Sequence, residues 1–302
     1  MTPTQRCLSA CRLLFTFSLL FAIAGCGKAV HFVANVATSG DPSEGITYYL
    51  GGAGPIGNVG SFDVPHGLQE GGYTGAVEVI TWQGLTHAGD QMNLARNREK
   101  GAEFAASIRT YRRAHPNTRI NIIALSAGTG VATWALEYLP EGVMVDQVVF
   151  LGCSLSSRYD MTRALRRIQG QLYVLYAPGD PILAKVVWYT GTVDRAPAEE
   201  GVAGLRGFRL PAVRGPDTER QYSKVLNVPW RIDFSDVGYD GGHIDCTSRL
   251  FVRTYIAPVI MGNDEPLVGE RGRHAESPLG FAATTTSQPV SVNVQPVEGL
   301  VP

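Results

Sequence analysis

The stretch Arg119–Pro140 reads RINIIALSAGTGVATWALEYLP. Ile120–Leu125 is a short, mostly apolar run with three isoleucines, which reads as a buried strand. Ser126-Ala127-Gly128-Thr129-Gly130 follows, then apolar residues at helical spacing (Val131, Trp134, Ala135 and Leu139) until Pro140 stops the pattern. A serine therefore stands where a strand turns sharply into a helix. Such a turn lifts one side chain out at the top of a sheet and aims the first free N–H groups of the helix at whatever that side chain attacks. Ala124, Ala127 and Gly128 are the small neighbours that a crowded backbone needs. The same serine would also serve as a plain N-cap.

Outward from this turn, strands and helices alternate. Ile46–Leu50 and Ala76–Trp82 read as strands, Gln91–Tyr111 as a helix, and Val145–Leu151 as a further strand. A short basic helix over Met161–Ile168 leads to the strand Gln171–Tyr176. Residues 181–227 read as irregular, Val228–Phe234 as the last strand and Cys246–Ile260 as the last helix. The alternation predicts an α/β fold, a mostly parallel sheet of about six strands with helices on both faces. In such sheets, sites form at the carboxyl ends of the strands. From Met261 onward the chain is rich in Gly, Pro, Ser and Thr, so residues 262–302 are expected to form a tail outside the domain at 46–261.

The 302 residues are 44% hydrophobic and 18% charged, an ordinary globular balance, and the formal net charge of −1 leaves no basic footprint for nucleic acid. At the N-terminus, Arg6 and Arg12 precede the apolar stretch Leu13–Ala24, too short for a span of about 20 residues and in keeping with a secretory signal over residues 1–25. Ile23-Ala24-Gly25-Cys26 resembles the lipobox of bacterial lipoproteins. That resemblance implies a lipidated Cys26, a tether over residues 26–45, and a place in the cell envelope, with Gly27 favouring the outer membrane. In an oxidising compartment the two remaining cysteines, Cys153 and Cys246, are candidates for a disulfide, or for two separate buried thiols.

Ala124-Leu125-Ser126-Ala127-Gly128 resembles the nucleophile elbow, G-x-S-x-G, of the α/β-hydrolase family, with alanine in place of the first glycine. The resemblance implies a serine hydrolase acting by acyl transfer, with no cofactor and no metal. A serine hydroxyl needs a base, and the base an acid to orient it. His243, in Gly238-Tyr239-Asp240-Gly241-Gly242-His243, has the glycine-rich context in which the family places its histidine. Asp180, in LYVLYAPGDPIL (Leu172–Leu183), looks like the family's acid at a strand end. The order Ser126, Asp180, His243 is the family's order. Asp160 is the competing acid, Asp240 and Asp245 are further alternatives, and His66 and His87 are alternative bases.

The resemblance also implies two amides for a developing oxyanion. Ala127 is one, and Ala53, or Gly52 as second choice, is the other. The loop Gly51-Gly52-Ala53-Gly54 resembles the family's HG-type loop with glycine for the usual histidine. Gly52-x-Gly54-x-x-Gly57 also fits a dinucleotide pattern, which requires a helix immediately after it, whereas Pro55, Gly60, Pro65 and Gly67 predict none. Trp188, Tyr189 and Tyr222 are candidate pocket walls. The rival to an enzyme is a binding lipoprotein that kept this fold and lost activity. Neither a partner protein nor an oligomeric state is legible.

Overall fold

The structure, a computed structural model, describes residues 40–54, 59–84, 86–269 and 277–279. The signal stretch, Cys26, His31, His274 and most of the tether and tail lie outside the described residues. Among those described, no helix is long and apolar enough to cross a membrane.

Six parallel strands form one sheet in the order β2-β1-β3-β4-β5-β6. They are β1 (Asp41–Leu50), β2 (Gly75–Ile80), β3 (Ile120–Leu125), β4 (Val148–Leu151), β5 (Leu172–Tyr176) and β6 (Val225–Pro229). The near-continuous apolar runs follow from burial on both faces. Tyr48, Leu50, Ile120, Ile122, Val148, Phe150, Leu172 and Val174 face one core. Tyr49, Ile123, Leu125, Val149, Leu151, Tyr173 and Leu175, the alternate positions, face the other. The helices Leu94–Ala114 and Gly128–Tyr138 pack on the first face. The helix Asp63–Glu70 and the C-terminal helical run pack on the second. The compact α/β fold predicted from the alternation is therefore the fold observed.

Several boundaries differ from the sequence reading. β1 starts at Asp41 rather than Ile46, through an irregularity that pairs Asp41 with Gly75. The helix Asp63–Glu70 does form after the glycine loop, despite Pro65 and Gly67. Gly67 is required there, because a methyl group on it would come 2.7 Å from the Arg249 carbonyl oxygen and 2.8 Å from Val252. Residues 181–227 are not irregular throughout: Pro181–Thr190 is a helix, capped by Asp180 with proline at its start. The last strand is Val225–Pro229, three residues earlier than expected, and Ile232–Val237 is a 3₁₀ helix.

The C-terminal run is composite. Arg249–Phe251 passes through a π-helical stretch, Val252–Ile256, into Ala257–Met261. Pro258 lacks an N–H and crowds the turn before it, which accounts for the widening. The fold also continues past 261. Glu265–Val268 is helical, Leu267 and Val268 are buried, and Asp264 accepts a hydrogen bond from the Tyr173 hydroxyl at 3.0 Å.

Cys153 and Cys246 are both buried and both free. The sheet separates them: Cys153 packs in the core on one face and Cys246 in the core on the other. A disulfide needs its two Cα atoms within about 7 Å; of the two alternatives, two separate buried thiols is the one observed. Burial pushes the Cys153 thiol up to about 12 and raises Cys246 as well. A thiol reagent is expected to leave both unmodified in the folded protein and to modify both in denaturant, with reductant leaving the melting temperature unchanged. A melting temperature that falls on reduction would contradict the separation.

Candidate active site

The strand order reverses its direction of growth between β1 and β3. The chain leaves β1 toward β2 and leaves β3 toward β4, which opens a crevice at their carboxyl ends. Ser126 ends β3 in that crevice. It carries φ +54°, and only Arg195 shares a positive φ among the described non-glycine residues. An L-residue in this region is disfavoured by about 1–2 kcal/mol, so the turn must be held. Ser126 donates its N–H to the Leu151 carbonyl at 2.9 Å. Its own carbonyl accepts from Thr129 N at 3.1 Å, from Thr129 Oγ1 at 2.6 Å and from Ser154 N at 3.4 Å. Gly128 permits the close packing of the turn on β1: a methyl group there would overlap the Gly51 carbonyl oxygen and come within 2.8 Å of that of Leu50. Ala124 is fully buried beside its register partners Leu50 and Phe150.

His243 and Asp180 meet. His243 Nδ1 lies 2.6 Å from Asp180 Oδ2, and both side chains are buried. The other carboxylate oxygen, Oδ1, accepts from Ile182 N and Leu183 N at 2.9 Å each, capping the helix Pro181–Thr190. The capping and acid readings of Asp180 thus occupy different oxygens of one group. An ionised carboxylate only accepts, which places the proton of the pair on Nδ1 and leaves Nε2 as the free lone pair. The ring rests on the end of β4. Gly152, with φ +50°, would place a methyl group 3.0 Å from His243 Nδ1 and 3.6 Å from Asp180 Oδ2. Ser126 N is held by Leu151 and His243 lies over Gly152, so consecutive residues at the end of β4 contact both.

Ser126 Oγ is 3.4 Å from Ser154 Oγ, and among the described residues no hydrogen bond joins it to His243. Ser126 is 8% exposed, so the hydroxyl sits just below the surface of the crevice. Catalytic hydrogen bonds are often unformed before substrate binds.

The alternatives disperse. Asp160 accepts from Thr162 N at 3.0 Å, just before the helix Thr162–Leu165, and is exposed. Asp245 accepts from Gly242 N within the histidine loop, and Asp240 is exposed. His66 bonds its own helix at the Phe62 carbonyl, and His115 stacks on Tyr111 below the sheet, while the His87 side chain lies outside the described residues. Tyr222 is a core residue rather than a pocket wall, bonded to the Tyr159 carbonyl. Tyr189 is 86% exposed, and the Trp188 side chain is not among those described.

Ala127 and Ala53 are both buried beside the elbow, and neither amide donates to a group among the described residues. The Gly54 amide, by contrast, is taken by Asp90 at 2.8 Å. Sequence reading missed Asp90, Ser154 and Gly152, because their roles rest on contacts between segments far apart in the chain. No group of three or more His, Cys, Asp or Glu residues placed to hold a metal occurs among the described residues. No protein-family model matches the chain, and no curated protein matches it.

Gly152→Ala should destabilise the protein by about 1–3 kcal/mol, through backbone strain and displacement of the His243 ring. Denaturant unfolding would measure it, and an unchanged midpoint would remove Gly152 as the floor of the pair.

Proposed function

We propose that this chain is a serine hydrolase of the α/β-hydrolase type, cleaving an ester or related acyl bond through Ser126, His243 and Asp180. The observation that carries the reading is the strained, crevice-facing Ser126 at one strand end, with a buried His243–Asp180 pair seated on the neighbouring one.

The chemistry follows from those positions. Asp180 fixes the imidazole with Nδ1 protonated, so Nε2 takes the Ser126 proton as Oγ attacks the substrate carbonyl. For this the Ser126 hydroxyl leaves Ser154 and rotates toward His243. The carbonyl oxygen gains negative charge and meets the amides of Ala127 and Ala53. The leaving group takes the proton from His243 and an acyl group remains on Ser126. Water, deprotonated by the same Nε2, then releases the acid. Ala124, where the family has glycine, faces the core rather than the crevice and does not obstruct attack.

The resting contact of Ser126 Oγ with Ser154 favours the second reading, a binding protein that kept the fold without activity. In either case the N-terminal sequence supports export and lipid anchoring at Cys26, facing the periplasm or the cell surface. About twenty residues separate β4 from β5, and the helix Thr162–Leu165 fills part of that span, leaving no room for a large lid. Residues 192–209 instead lie along Cys153–Ser157, with Val193 N on the Ser154 carbonyl at 3.1 Å and Ala203 N on that of Leu155 at 2.9 Å. A site without a large lid suits small or polymer-attached esters.

A fluorophosphonate probe should label the wild type and not Ser126→Ala; absence of labelling on folded wild type would favour the binding protein. Acetate and butyrate esters should be better substrates than long-chain esters, and the reverse preference would contradict this substrate class. Asp180→Asn can still cap its helix, so stability should fall by no more than about 1 kcal/mol, while turnover falls by about 10³-fold or more. Unchanged turnover in the folded variant would reduce Asp180 to a cap.

A further inference from the structure

Asp90 is almost fully buried, pairs with Arg96, and lies outside the Ser126–His243–Asp180 set. Its carboxylate gathers three segments. Oδ2 accepts from Gly54 N at 2.8 Å, and Oδ1 accepts from Gly84 N at 2.7 Å and from Arg96 Nη1 at 2.9 Å. The same Arg96 donates from Nη2 to the Trp82 carbonyl at 2.7 Å, and Asn97 Nδ2 donates to the Asp90 carbonyl. Two further anchors hold the loop after β1: Trp82 Nε1 on the Gly51 carbonyl at 2.9 Å and Gln83 Nε2 on the Gly52 carbonyl at 3.1 Å. Gly51, Gly52 and Gly54 are thus tied to the end of β2 and to the helix that follows it. Ala53, between them, donates its amide to nothing among the described residues.

A buried carboxylate is costly unless its lone pairs are filled by donors, and here two backbone amides and a guanidinium fill them. Loop amides would satisfy themselves with water at an ordinary surface. A buried anion spent on one glycine loop is explained by a demand on where that loop stands. The loop packs against the first turn of the helix Gly128–Tyr138, where a methyl group on Gly128 would overlap the Gly51 carbonyl oxygen. The Ala53 and Ala127 amides therefore flank one crevice.

We infer that Asp90 is a positioning residue for the oxyanion site, acting through Gly54 to fix the Ala53 amide. The inference rests on the hydrolase reading above. Asp90 touches no reacting atom. It holds the donor at its place before charge develops, so its effect falls on the transition state rather than on ground-state binding.

The test uses Asp90→Asn in the full chain. An amide nitrogen in place of one carboxylate oxygen faces a backbone N–H instead of accepting from it, and the Arg96 charge loses its partner. On p-nitrophenyl acetate, kcat should fall about 10- to 100-fold with KM changed by less than about threefold. The inhibition constant of a trifluoromethyl ketone, which binds as a tetrahedral oxyanion, should rise by the same factor as kcat/KM falls. Should Asp90→Asn not fold, Gln83→Met removes the hydrogen bond to the Gly52 carbonyl, and the folded variant should show the same signature at smaller size. A folded variant with kcat within twofold of wild type would leave Asp90 a structural brace and overturn the inference. A rise in KM alone would also overturn it, since the loop would then shape binding only. Fluorophosphonate labelling of the wild type separates the two levels. If the wild type is unlabelled, the hydrolase reading fails and the Asp90 role fails with it; if it is labelled, the Asp90 result stands alone.

Discussion

Turning the chain from β3 into the helix Gly128–Tyr138 within two residues forces Ser126 to φ +54°. The cost is met by neighbours, since a strained residue persists only where its surroundings over-determine it. The amide of Ser126 is fixed by β4 through Leu151, and its carbonyl by Thr129 and Ser154. Gly128 lets the turn press against the carbonyls of Leu50 and Gly51 at the end of β1. The strain is thus shared between both neighbouring strands, and the positions of the β1 loop and of the segment after β4 follow from it.

Asp180 is the second point of economy. A helix start needs an acceptor for its free N–H groups, and a neutral imidazole needs an acceptor to select its tautomer. One buried carboxylate meets both needs with separate oxygens. Its orientation is therefore set by the backbone of Ile182 and Leu183 before His243 arrives. Gly152 supplies the space, because a methyl group there would come 3.0 Å from Nδ1 and crowd the ring. Pairing by rigid backbone, rather than by flexible side chains, keeps the loss of conformational freedom small.

The sheet was legible because strands buried on both faces carry unbroken apolar runs, as in INIIAL and LYVLY. Ser126, Asp180 and His243 were legible because local signals mark them: small residues after a strand, aspartate before proline, glycines before histidine. Where those signals failed, the reason is physical. Asp41–Glu44 is polar and exposed, so nothing in it announces a strand. The helix Pro181–Thr190 has no polar stripe, although Asp180-Pro181 is itself a helix-start signature. In β6, Asn227 breaks the apolar run because its side chain pairs with the backbone of Phe208. Asp90 has no local signature, since its partners are a loop 36 residues earlier and a guanidinium six residues later.

These supports are distributed in a particular way. The helix after β1 lies on one face of the sheet and the helix after β3 on the other, yet Ala53 of the Gly51–Gly54 loop and Ala127 of the Ser126 turn pack in the same core. They meet at the strand ends, where Gly128 lies against the Gly51 carbonyl. Packing density makes that core stiff, so one layer holds both halves of the crevice. An alignment between halves that depended on one flexible side chain would be lost with that side chain. Here it depends on the register of β1 against β3, Leu50 beside Ala124, a spacing set by the sheet itself.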